Sequence, residues 1–258
     1  MVPDMTHKIL TIIFASIALT ACQTDGGSSD SGTSSDIDSG AIAGSTAALT
    51  FQNGNFVVLD RSTVKSYFFP EDGPVELNDT IHVWNAETIF PEGQSSLYVG
   101  SDFGVTILDI NDAGKFTFVG EATHIASCDP VIVDGTTMFL TLRTTNNCTT
   151  ATGLNTLMIY DVSDPTAPLQ LSSLAMNGPY GLAKSDNFLW VCTEEGLAKV
   201  SVSDPLAPAL VTTYPETQCN DIIIRTPSET IITSDGGIFL VNLSTGTPII
   251  QSDILAGE

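Results

Sequence analysis

Three observations on the 258-residue sequence predict an all-β chain, folded as a β-propeller of about five four-stranded blades. The composition is rich in Thr, Ser, Val, Ile, Gly and Pro and poor in Lys, Arg and Glu, a balance that favours strands over helices. A strand–turn–strand unit, LMIYDVSDPTAPLQLSSL at residues 157–174, recurs along the chain. Between its copies, short runs of alternating apolar and polar residues are bounded by Gly, Asn, Asp and Pro, the pattern of antiparallel strands joined by tight turns.

Five copies align on the strand before the turn: VKSYFFPEDGPVEL, VTILDINDAGKFTFV, LMIYDVSDPTAPLQL, LAKVSVSDPLAPALV and IFLVNLSTGTPIIQS. Their equivalent positions are Phe68, Asp109, Asp161, Ser201 and Asn242, spaced 41, 52, 40 and 41 residues apart. One insertion, residues 143–155, accounts for the long interval. A period near 41 residues marks stacked or circular units, and four short strands per period is a propeller blade. In the fourth unit the strands are predicted at residues 181–184, 188–192, 197–202 and 209–213, and in the fifth at 221–225, 230–233, 237–242 and 248–253. Pro205 and Pro208 cannot donate ladder hydrogen bonds, which places them in the connection to the outermost strand. A β-sandwich would not need strands repeating in register at this interval. With no strand donated across the chain ends, ring closure is expected to rest on the first blade packing against the fifth.

The SDPxxP turns after I/V-x-D-V, together with ETIFP at residues 87–91, SCDPVIVDG at 127–135 and LTLRTTNNC at 140–148, resemble the LVIVD-repeat proteins of bacterial cell surfaces. That resemblance covers nearly all of residues 45–258. It implies a propeller-like fold and an exported, often lipid-anchored protein, and it brings no established activity with it. Phe68 and Ser201 depart from the strand-end Asp of the repeat, as Ser244-Thr245-Gly246 departs from its turn.

The N-terminus reads as an export segment. Lys8 gives a positive start, residues 9–18 are apolar, and Leu19-Thr20-Ala21-Cys22 resembles the lipobox of bacterial lipoproteins. The resemblance implies a signal peptide over residues 1–21, acylation of Cys22 and, with Gln23 following, the outer membrane or cell surface. Two or three acyl chains anchor stably without a transmembrane helix. Residues 22–44 are Gly, Ser and Asp with almost no apolar content, so they read as a tether with a root-mean-square reach of roughly 25 Å. The folded domain is expected over residues 45–258.

The formal charge of −22 argues against nucleic acid and anionic lipid surfaces as partners, since both need positive charge to displace counterions. Beyond Cys22, the even set Cys128, Cys148, Cys192 and Cys219 in an exported chain reads as two disulfides. In the repeat register Cys128 and Cys148 fall at one end of the third blade, while Cys192 and Cys219 fall at the same end of the fourth and fifth. The predicted pairs are therefore Cys128–Cys148 and Cys192–Cys219. No C-x₂-C pair supports zinc.

The catalytic inventory is thin. Only His82 and His124 follow the signal, no nucleophile elbow, H-E-x-x-H pair or nucleotide loop occurs, and no catalytic residue, metal ligand or cofactor is assigned. Asp109-Ile110-Asn111-Asp112 reads as a plain turn rather than a calcium loop. Alignment of the second strands puts Glu87, Asp129, Pro179 and Asp221 at equivalent positions, where the innermost strands of blades two to five begin. Glu87, Asp129 and Asp221 would then converge on the mouth of a central channel, with Tyr180, Cys128 and His124 nearby. Converging carboxylates repel one another and suit a cationic guest. The sequence thus predicts a membrane-anchored module that binds an extracellular protein or glycan, with a glycan hydrolase or lyase using those carboxylates as the alternative.

Overall fold

The computed structural model describes residues 44–123, 130–143 and 154–255, which carry five sheets of four antiparallel strands. Blade 1 comprises β1 (Leu49–Gln52), β2 (Asn55–Asp60), β3 (Thr63–Phe68) and β4 (Glu76–His82). Blade 2 comprises β5 (Ala86–Glu92), β6 (Ser96–Ser101), β7 (Gly104–Ile110) and β8 (Phe116–Thr123). In blade 3 the strands are β9 (Val131–Asp134), β10 (Thr137–Leu142), β11 (Thr156–Asp161) and β12 (Leu169–Ala175). Blade 4 holds β13 (Leu182–Ser185), β14 (Phe188–Thr193), β15 (Gly196–Ser201) and β16 (Ala209–Tyr214), and blade 5 holds β17 (Asp221–Thr226), β18 (Glu229–Ser234), β19 (Gly237–Asn242) and β20 (Ile249–Leu255). The strands of each blade pair in chain order, so the predicted five-bladed propeller architecture is present.

In blades 2, 3 and 4 the middle strands are buried at most positions on both faces, whereas those of blades 1 and 5 are buried on one face only. In β14, Leu189 and Val191 point into a cluster shared with Ile132, Phe139 and Ile159 of blade 3. Their alternates Trp190 and Cys192 pack on Ile222, Ile232 and Val241 of blade 5. Comparable clusters join Val57 and Val64 of blade 1 to Ile89 and Leu108 of blade 2, and Tyr98 and Ile107 of blade 2 to Met138 and Met158 of blade 3. Each cluster is one junction between neighbouring blades.

The recurring turn between the third and fourth strands has a second job. Asp161 accepts the Ser163 N–H (2.8 Å), Asp164 accepts the Thr166 N–H (3.0 Å), and the Ala167 N–H closes the turn on the Asp164 carbonyl (3.0 Å). Pro165 takes the second turn position, for which its fixed φ is suited. Blade 4 repeats this with Asp204, Leu206 and Ala207, and in blade 5 Asn242 replaces the Asp and still accepts the Ser244 N–H (2.8 Å). This substitution keeps the same local hydrogen bond. The turn then grips the preceding blade. Ser172 donates to the Pro205 carbonyl (2.6 Å), Tyr214 to that of Gly246 (2.6 Å) and Ser66 to that of Gly114 (2.5 Å). The Pro165 carbonyl packs so tightly on Gly120 that a Cβ there would lie 2.2 Å from it.

The junction between blades 5 and 1 is different. Among the described residues no buried cluster bridges them, and their facing side chains stay exposed: Leu49 and Phe51 by 56% and 58%, Ile238 and Ile254 by 47% and 70%. The expected packing of the first blade on the fifth is therefore not formed. What spans the gap is residues 44–47, which cross the hub. Ser45 and Thr46 bond to Asp221 of blade 5, the Leu182 N–H of blade 4 bonds to Ser45, and the Ile89 N–H of blade 2 bonds to the Ala47 carbonyl (2.8 Å).

Candidate functional site

The end of the ring where innermost strands begin carries the Cys192–Cys219 disulfide, as the repeat register predicted. It ties the end of β14 to the entry of β17, a sequence separation of 27 residues. Cys128, Cys148, His124, Asp129 and Cys22 lie outside the described residues. Loops at this end share one fixing device, an Asn before the innermost strand bonded to an acid in the turn between strands two and three. The pairs are Asn85 with Asp102 (2.9 Å), Asn177 with Glu195 (3.0 Å) and Asn220 with Asp235 (2.8 Å). Such side-chain ties hold loop backbones that would otherwise be mobile.

Asp221 sits at the start of β17, the strand position at which the alignment put it. Its two oxygens accept hydrogen bonds from Ser45 (2.9 Å) and Thr46 (2.6 Å), and only 9% of the residue is exposed. Gly181 and Gly44 flank it so closely that a Cβ on either would lie 2.3 Å from a carboxylate oxygen. The carboxylate therefore anchors the chain's own segment across the hub. Tyr180 is adjacent, with its N–H on the Cys192 carbonyl (2.6 Å) and its carbonyl accepting from Thr141 (2.6 Å). The Arg143 guanidinium lies 4.0 Å above the Tyr180 ring, a cation–π pair supplied from within the chain. Glu87 is exposed at the bulge in β5, between Ala86 and Thr88. A space of about 140 Å³ nearby is lined by Phe90, Ile132, Leu182 and Ile222 and also by Lys184 and Asp134, which form an ion pair. Among the described residues no group of three or more His, Cys, Asp or Glu side chains is placed to hold a metal ion.

A second feature at the same end was not singled out from sequence. Between the outer strands of blades 1 and 2 lies a cleft of about 300 Å³ lined by His82, Trp84, Phe103, Thr106, Phe118 and Glu121 among others. Three of its aromatic residues are conspicuously open to solvent: Trp84 by 67%, Phe103 by 51% and Phe118 by 55%. His82 and Trp84 stack with planes 9° apart. The cleft brings together the β4–β5 connection, the β6–β7 turn and the face of β8. The only sequence signal was a Trp inside a turn, where apolar burial does not explain it.

The class these features define is a repeat β-propeller whose loop-bearing end combines a hub crossed by residues 44–47 with an aromatic cleft. Residues 150–175 and 181–216 match the LVIVD repeat model, so the chain carries LVIVD repeats in blades 3 and 4. No curated protein matches the sequence. Among solved structures, the chain is similar to a functionally unknown protein from Desulfotomaculum acetoxidans, with 11% identity, a TM-score of 0.61 and coverage of 84% of this chain and 70% of that one. A protein from Lactobacillus plantarum is similar at 16% identity and a TM-score of 0.58, over 81% of this chain and 68% of that one. At these identities the likeness is one of fold.

Proposed function

We propose that this chain is a cell-envelope binding module, acylated at Cys22, carried by its tether at the outer membrane or cell surface, and recognising extracellular glycan or protein through the disulfide-bearing end. The observation that supports this most is the aromatic cleft between blades 1 and 2. The apolar face of a sugar ring stacks on Trp84 or Phe103, while Glu121 and Thr106 are within the same cleft to accept and donate to its hydroxyls. Loops pinned by a disulfide and by Asn–acid bonds favour recognition, since a preorganised site loses less entropy on binding. The hydrolase alternative draws less support, because Asp221, one of its three carboxylates, is buried beneath residues 44–46 and committed to Ser45 and Thr46.

The test is calorimetric titration of the full chain with soluble fragments of envelope glycan, alongside the Trp84→Ala and Phe103→Ala variants. Saturable binding that weakens about tenfold or more in either variant, at an unchanged melting temperature, is the expected result. Binding that survives both substitutions, or none at all, would overturn the cleft as the recognition site. Release of new reducing ends from the glycan during incubation would favour the hydrolase. Anchoring is checked separately by fatty-acid labelling, which Cys22→Ala should abolish.

A further inference from the structure

Blades 1 and 5 each present one sheet face that no other blade covers, and we infer that these faces are the two halves of a junction completed by a second copy of this chain. The register identifies the residues. On blade 5, Ile223, Ile231 and Leu240 are cross-strand neighbours on one face, as are Ile238 and Ile254. On blade 1, Phe51, Phe56, Tyr67 and Leu77 line up across all four strands. Phe56 makes close ring contacts with Phe51 (5.0 Å) and Phe69 (5.5 Å), beside a hollow of about 400 Å³.

In a chain of net charge −22 these faces stand out because their charged side chains are already engaged within the chain. Lys65 is bonded to Asp60 and Arg225 to Glu229, while Asp221 is held by Ser45 and Thr46. Apolar faces of this breadth on a chain otherwise kept apart by like charge mark an interface.

The gripping turn says what fits. In blades 1, 2 and 3 the outermost strand offers one position, just after its register shift, to the connection that leads into the next blade's outermost strand: Asp79 accepts the Phe116 N–H (2.9 Å), Gly120 meets the Pro165 carbonyl, and Ser172 donates to the Pro205 carbonyl. Ser252 holds that position in β20, is exposed, and has no following blade among the described residues. Blade 1 has the opposite lack. Its own turn, residues 69–75, has no earlier blade to grip among the described residues, and Phe69 and Val75 are about half exposed (53% and 49%).

The missing halves are thus a receiving strand and a gripping turn, and every copy of the chain carries one of each. Packing blade 5 of one copy on blade 1 of the next continues the interface already repeated four times within the chain. The contact is heterologous, so it builds a ring or a row rather than an isologous pair. Tethering copies to one membrane raises their effective concentration and favours it.

The test places a photo-crosslinking benzoylphenylalanine at Phe51 in one full-length preparation and at Ile238 in another. The expected product has twice the chain mass, with peptide mapping that joins position 51 to strands of blade 5 and position 238 to strands of blade 1. Leu240→Lys added to the chain that carries the crosslinker at position 51 should cut the yield about tenfold, with a retained Cys192–Cys219 disulfide reporting that the variant folds. A crosslink of single-chain mass between blades 1 and 5 would mean that the ring closes on itself and would overturn the proposal. So would a 51-to-51 product, or monomers only by light scattering across the micromolar range. None of these outcomes depends on the cleft or its ligand.

Discussion

Asp221 carries more of the architecture than any other single polar residue described, because one carboxylate joins segments 175 and 176 residues apart in sequence. Hydrogen bonds to an ionised acceptor are worth about 1.5–3 kcal/mol each when neither partner can turn to water. Asp221→Ala is therefore expected to lower unfolding free energy by about 3 kcal/mol, measured from the denaturant midpoint, and to expose residues 44–47 to proteolysis. Asp221→Asn, which keeps an acceptor oxygen, should cost less. Tyr98 offers a titration. Its burial, reinforced by the carboxylates of Glu92 and Asp109, pushes its phenol from 10.0 up to about 12. The fold accommodates the neutral form, so stability is complete below about 10 and falls as pH rises toward 12. Phenolate absorbance should report Tyr98 ionising well above 10, together with unfolding. The sequence marked Asp221 as a strand-start acid, yet it gave no sign of Ser45 and Thr46 as its partners, since nothing local links positions so far apart.

At the scale of elements, the turn after the third strand is a grip between blades as well as a reversal of the chain. Gly120→Ala would force the Pro165 carbonyl, 2.2 Å from the new Cβ, to retreat with its turn. Overpacking of that kind costs about 1–3 kcal/mol, and the fall in melting temperature should exceed that of Ser172→Ala, which removes one hydrogen bond. The Cys192–Cys219 bridge closes a loop with a sequence separation of 27 residues. Its reduction should cost about 3.5 kcal/mol in the chain-entropy model, read as a lower denaturant midpoint with the β signal in circular dichroism kept at low denaturant. The strands were legible because their middle members are apolar on at least one face and their turns repeat. In blade 4 the predicted and observed ends differ by a single residue. The docking of each turn on its neighbour was not legible, because glycine at 120 and serine at 172 are ordinary strand residues until another blade's carbonyl is brought against them.

For the molecule as a whole, 30 acidic residues against 8 basic ones make self-repulsion a persistent cost of compactness. Thermal unfolding should therefore shift upward as sodium chloride rises from roughly 0.01 M to 0.5 M, with most of the change at the low end where screening lengthens or shortens fastest. A melting temperature that falls over this range would contradict the repulsion. The sequence by itself determined the all-β class, the five-fold repeat, the strand positions and the pairing of Cys192 with Cys219, because each is written in periodic patterns of burial and turn chemistry that a chain carries locally. Only the tertiary structure decided that residues 44–47 cross the hub and bond to Asp221, that His82, Trp84, Phe103 and Phe118 meet in one cleft, and that the faces of blades 1 and 5 remain uncovered. Those outcomes depend on how sheets curve around one another, and side-chain pattern along a strand says which face is apolar without saying what, if anything, will cover it.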